Sequence, residues 1–187
     1  MAMQSTMLEL GISAPDFSLP DVVSGTTISL STFVDRRALL VMFICRHCPY
    51  VKHVERELAR IGSDYGTRGV GVLAISANDA DAYPDDSPES LREMAETVGF
   101  GFPFCYDESQ MVARAYKAAC TPDFFLFDRT KRLVYRGQLD DSRPGNGRPV
   151  TGRDVRRAIE AVLAGRDVDP HQRPSIGCGI KWKTRSP

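Results

Sequence analysis

The stretch Ala38-Leu39-Leu40-Val41-Met42-Phe43-Ile44 is apolar throughout and runs straight into Cys45-Arg46-His47-Cys48. A run of that length, with its Val and Phe content, predicts a strand buried on both faces at the centre of a sheet. Beyond Pro49 the pattern changes at once. Val51, Val54, Leu58 and Ile61 fall three, four and three residues apart, along one face of a helix, with Lys52, Glu55, Arg56 and Glu57 turned outward. A buried strand that ends on a cysteine pair opening a helix is a narrow constraint. It sets two thiols where a sheet meets a helix N-terminus.

The rest of the chain builds around that unit. Ala14 to Leu19 and Thr26 to Leu30, around Gly25, predict an N-terminal hairpin. Val70 to Ser76 is a second buried strand. Ser87-Pro88-Glu89 starts a helix whose apolar face is Leu91, Met94, Ala95 and Val98: a capping hydroxyl, a proline in the first turn and an acid at the positive dipole end. A short helix over 109–117 precedes strands at Phe124 to Phe127 and Arg132 to Tyr135, joined by a turn over 128–131. Gln138 to Val150 is rich in glycine, proline and charge, and reads as a surface loop. Val155, Ala158, Ile159 and Val162 mark a last helix from about Gly152. Strand–helix–strand units come first and a hairpin last, which predicts a mixed sheet covered by helices on both faces. The expected architecture is one α/β domain over 1–187, with a core over about 14–164 and an irregular tail over 165–187.

Composition narrows the function. At 187 residues the chain supports one sizeable core. Lysine plus arginine equals aspartate plus glutamate at 24 each, so there is no electrostatic case for nucleic acid or an anionic membrane surface. No run is apolar enough to span a bilayer, and Met1 to Leu10 lacks the basic flank and apolar run of a secretory signal. Five cysteines, at 45, 48, 105, 120 and 178, are too few and uneven for a disulfide-stapled secreted domain. The expected compartment is the cytoplasm, where thiols serve as core residues, ligands or catalysts.

Helix N-termini stabilise thiolates, so Cys45 is the candidate nucleophile. Cys48, one turn on, is placed to resolve a mixed disulfide at Cys45. Arg46 and His47 add groups that favour the anion. The competing reading is a zinc half-site, but a structural zinc needs two more ligands, and only the scattered Cys105, Cys120, Cys178, His53 and His171 remain. No metal or cofactor is expected.

With these residues in view the chain resembles the thioredoxin superfamily, in the branch of peroxiredoxin-like and thiol-disulfide oxidoreductase proteins. The resemblance runs from Ala14-Pro15-Asp16-Phe17-Ser18-Leu19 to the final helix. The phrases Cys45 to His53, Cys120 to Asp128 and Tyr135 to Gly145 are similar to bacterial redoxins of the AhpC/TSA type. The resemblance implies a thioredoxin-like fold. It also implies that Thr121-Pro122 carries a cis bond, lies against the active-site sulfurs and offers its backbone to an extended substrate. Implied partners are disulfide-containing proteins or small thiols and disulfides, with a cellular reductant such as thioredoxin reductase or glutathione.

The departures from the family patterns are specific. Peroxiredoxins carry a proline and a hydroxyl where Ala38 and Met42 stand, and an arginine where this chain has none between Ala118 and Asp128. Peroxidase chemistry through Cys45 is therefore the second expectation, and a metal-carrying or chaperone role the third. Thioredoxins place tryptophan at the position of Ile44 and a carboxylate within the strand before the motif, where Ala38 to Ile44 has none. Histidine before the second cysteine is similar to oxidising disulfide-forming proteins. Cys120 and Cys178 are accessory candidates, each weighed against a core or inert role, and Cys105 is expected in the core. Asp140, Asp141, Ser142 and Arg143 form a charged cluster placed either at the active-site rim or in a solvated loop. Phe43, Tyr50 and Tyr116 are read as core.

Overall fold

The computed structural model describes residues 2–184. In chain order the strands and helices are β1 (Ala2–Gln4), β2 (Ser18–Pro20), β3 (Thr27–Ser29), β4 (Ala38–Phe43), α1 (Pro49–Gly66), β5 (Val70–Ser76), α2 (Pro88–Val98) and β6 (Phe104–Tyr106). They continue as α3 (Met111–Ala115), β7 (Cys120–Thr121), β8 (Asp123–Phe127), β9 (Leu133–Gly137), α4 (Arg153–Leu163) and β10 (Ile176–Gly179). Among the described residues no helix is long and apolar enough to cross a membrane.

Strand β4 is central because it has no polar side to give to water. Its neighbours are β5, parallel, with Ala38 opposite Val70, and β8, antiparallel, with Leu39 opposite Phe127. The full order is β6-β5-β4-β8-β9, the expected mixed sheet. Strand alternation divides the core in two. Leu40 and Met42 face α1, α2 and α4 through Leu58, Leu91 and Ile159. Leu39, Val41 and Phe43 face the other way, toward Tyr116, Phe125 and the β2–β3 hairpin. Helices thus lie on both faces, but unequally: three long ones on one, and α3 with the hairpin on the other.

Several expectations shift. Glu57 is buried, not outward, because it accepts from Arg156 Nε on α4 at 2.7 Å and ties the two helices together. The stretch 138–150 has no regular element, yet Gln138 to Asp140 and Ser142 are buried. Asp140 draws the loop inward by accepting from the backbone N–H of Ser142, Thr151 and Gly152. Phe43 and Tyr116 are core, whereas Tyr50 is half-buried.

The tail departs furthest from an irregular segment. Ile176–Gly179 forms the middle strand of a second sheet, β1-β10-β7, with Cys178 opposite both Ala2 and Thr121. Neither β1, β7 nor β10 has an apolar alternation long enough to announce it. The last three residues of the expected tail lie outside the described residues.

Candidate active site

Cys45 follows β4 by one residue, and Cys48 caps the N-terminus of α1, its carbonyl accepting from Val51 and Lys52. Pro49 takes the first helical position, where a missing N–H is harmless. The bond between Thr121 and Pro122 is cis. Thr121 touches both sulfurs. Its Oγ1 lies 3.2 Å from Cys45 Sγ, and its carbonyl oxygen 3.1 Å from Cys48 Sγ. Both cysteines are fully buried, and all five thiols in the chain are free.

The helix cap falls on Cys48, so the favourable N–H groups act there and not on Cys45. A hydrogen bond from the Cys45 thiol is the largest influence on Cys48. Against the penalty of burial, it combines with donors at Cys178, Thr121 and the Val51 N–H to bring Cys48 down to about 4. The Thr121 carbonyl, 3.1 Å from Cys48 Sγ, accepts from that thiol and opposes the shift. Cys45 is raised well above the usual thiol range by that same hydrogen bond, by burial and by the charge of Asp86. The two shifts run in opposite directions, as they do when two neighbouring thiols influence each other's ionisation.

Asp86 carries no mark of a site residue in the sequence. Its carboxylate is fully buried under the Cys45–Cys48 turn and accepts four hydrogen bonds. Oδ1 takes the backbone N–H of Arg46 at 2.8 Å and of His47 at 3.2 Å. Oδ2 meets His47 Nδ1 at 2.5 Å and Asn78 Nδ2 at 2.8 Å. The His47 ring stacks on Tyr83, with centroids 5.4 Å apart. Arg46 turns away to Glu93 and the Ser90 carbonyl. A buried carboxylate does approach the dithiol, then, but from the loop before α2 and not from β4. Asp86 sits beside Asp85 in a segment that reads only as the approach to the Ser87 cap, which hid it.

Cys45, His47 and Asp86 bring one sulfur, one nitrogen and one oxygen within 4.8 Å of one another, the geometry of a partial metal site. The Asp86 oxygens, however, are already saturated by the four donors. Cys120 lies on β7 with its thiol toward the Pro122 carbonyl, and burial pushes it well up. Cys105 is buried on β6 and pushed to about 12, also by burial. Cys178 stands beside Cys48, raised to about 11 by burial and by the hydrogen bond it gives to that sulfur. Ser142 and Arg143 line a narrow cleft with Tyr50, His53, Pro122 and Ile176, so part of the charged cluster does reach the rim. Ala38 and Met42 are buried in β4 and place no hydroxyl near Cys45.

The resemblance also implied an open backbone edge at Thr121-Pro122. That edge is taken. β10 pairs along Cys120–Thr121, and Ile180 donates to the Ala119 carbonyl.

A mixed five-stranded sheet, two cysteines at the start of α1 and a cis-proline turn against their sulfurs define a thioredoxin-like redoxin. Solved structures share this architecture. An uncharacterised conserved protein from Geobacillus kaustophilus is 53% identical, with a TM-score of 0.97, over 100% of this chain and 98% of that one. A hypothetical protein from Sinorhizobium meliloti is 51% identical, with a TM-score of 0.95, over 97% of this chain and 98% of that one. A thiol:disulfide interchange protein of the thioredoxin family from Chlorobium tepidum shares the fold at 17% identity and a TM-score of 0.64, over 84% of this chain and 99% of that one. No curated protein matches. The AhpC/TSA family model matches residues 10–136, and the chain belongs to that family of thiol oxidoreductases and peroxidases.

Proposed function

We propose that the protein is a thiol-disulfide oxidoreductase working by dithiol–disulfide exchange through Cys45 and Cys48. The observation that carries this reading is the contact geometry: two free thiols where β4 meets α1, each in contact with Thr121 of the cis Thr-Pro turn. With the pair singly protonated and the proton on Cys48, Cys45 is the thiolate. Cys45 attacks one sulfur of a substrate disulfide, and the other sulfur leaves as a thiolate that takes the proton from Cys48. Cys48 then attacks the Cys45 sulfur of the mixed disulfide. The substrate departs fully reduced, and a Cys45–Cys48 disulfide closes. Two electrons pass to the substrate, and a reductant of the glutathione or thioredoxin-reductase type returns them.

Arg46 and His47 act as positioning residues, the turn being pinned from below by Asp86. The substrates are disulfide-bearing proteins or small disulfides. Because β10 lies along Thr121, a small disulfide meets less obstruction than an extended peptide, which must displace the tail. Peroxide reduction is the weaker reading. With Ala38 and Met42 in place of a proline and a hydroxyl, a peroxide's leaving oxygen lacks the donors that the peroxiredoxin pattern supplies from those positions.

Digestion of the oxidised protein without reductant should yield a peptide pair joined through Cys45 and Cys48. Insulin reduction should be lost in Cys45→Ser. An oxidised protein with no Cys45–Cys48 disulfide overturns the proposal.

A further inference from the structure

Cys178 is not a stray thiol in a loose tail. β10 is held on both edges, by β1 and by β7, and its register sets Cys178 opposite Thr121, the residue that touches both active-site sulfurs. Cys178 packs against the buried cluster that holds Cys45 and Cys48, from the position opposite Thr121. The approach depends on Gly177. A Cβ there would overlap the Thr121 carbonyl group and come within 3.1 Å of the Pro122 nitrogen, all of it backbone that has no room to yield. Burial separates the three residues: Cys45 and Cys48 are fully buried, whereas Cys178 is half-buried.

We propose that Cys178 is a third redox thiol of this site, exchanging with Cys48 so that a disulfide formed at Cys45–Cys48 passes to Cys48–Cys178. The step rests on the dithiol reading above. The Cys178 sulfur, as thiolate, attacks Cys48 Sγ. The Cys45–Cys48 bond breaks as the Cys48–Cys178 bond forms, and Cys45 leaves with the electron pair and takes up the proton that Cys178 gave up. No electrons enter or leave. Cys45 is free again, and the oxidising equivalent now sits on a disulfide between Cys48 and the less buried Cys178. A small thiol of the glutathione class, as thiolate, attacks Cys178 and Cys48 leaves as a thiolate; a second small thiol attacks the mixed disulfide, freeing Cys178 and departing as the small-thiol disulfide. Two electrons are thus returned through the tail, not through the buried pair.

The test is disulfide mapping by mass spectrometry after oxidation with diamide and acid trapping. In Cys45→Ser, an intramolecular Cys48–Cys178 link is expected, and adding Gly177→Ala should abolish it. In the wild type, the same link should appear with Cys45 trapped as a free thiol. Absence of the link from both Cys45→Ser and the wild type overturns the proposal. Equal yield with and without Gly177→Ala overturns the role of the β10–β7 pairing. Cys178→Ser separates the two layers: a Cys45–Cys48 disulfide there upholds the dithiol reading whatever becomes of the tail. Its absence there removes both.

Discussion

Replacing Asp86 by asparagine probes the turn that carries the dithiol. The carboxylate faces donors on both oxygens, so an amide nitrogen must oppose one pair. The Oδ1 side offers two backbone N–H groups that cannot change role. On the Oδ2 side, His47 can accept by switching tautomer, but Asn78 cannot. Flipping its amide would turn the nitrogen onto the Lys181 N–H that its oxygen now accepts at 2.8 Å. One buried donor is left unpaired, at about 1–3 kcal/mol. The remaining bonds lose their charge assistance, so the total is about 3 kcal/mol. With a urea slope of about 2 kcal/mol/M, the unfolding midpoint of the reduced protein should fall by about 1.5 M. Asp86 also raises Cys45 by its negative charge, so its loss lowers that thiol. The pH profile of iodoacetamide reaction at Cys45, read by peptide mapping, should therefore move to lower pH in Asp86→Asn. An unchanged urea midpoint, or a profile that moves upward, refutes this account of the turn.

Two further outcomes follow from the same geometry. Cys48 is held at about 4 in the folded protein against an ordinary 9.0, so between these values the unfolded chain binds the extra proton. The stabilising effect of Cys48 should be absent near pH 4 and grow as pH rises toward 9, which pH-dependent urea unfolding of reduced wild type against Cys48→Ser would measure. Glu57→Ala removes a buried acceptor from Arg156, but Arg156 keeps Asp64 at 2.8 Å near the surface. The expected loss is about 2 kcal/mol, below the full penalty of a broken buried pair, and thermal or urea unfolding reads it.

What the sequence made legible was whatever repeats on a local period. β4, β5, α1, α2 and α4 stand where apolar runs and helical spacing put them, and Ser87 caps α2 by accepting from Ser90. The Cys45–Cys48 motif and Thr121-Pro122 were visible as short phrases, and the structure brings them into contact. The hidden parts depend on partners distant in the chain. Glu57 reads as an outward charge until Arg156 arrives from α4, and Asp86 resembles its exposed neighbour Asp85 until the turn folds over it. Cys178 lies in a four-residue strand that exists only because β1 and β7 flank it. A segment that short, rich in glycine, has no period to read.

The small sheet β1-β10-β7 has a practical side. It draws Ala2–Gln4 and Ile176–Gly179 together against the cis-proline turn. A purification tag or fusion partner joined ahead of Ala2–Gln4 therefore starts one strand away from Cys178 and the cis-proline turn. Thiol kinetics on a protein tagged at that end therefore need comparison with the untagged chain.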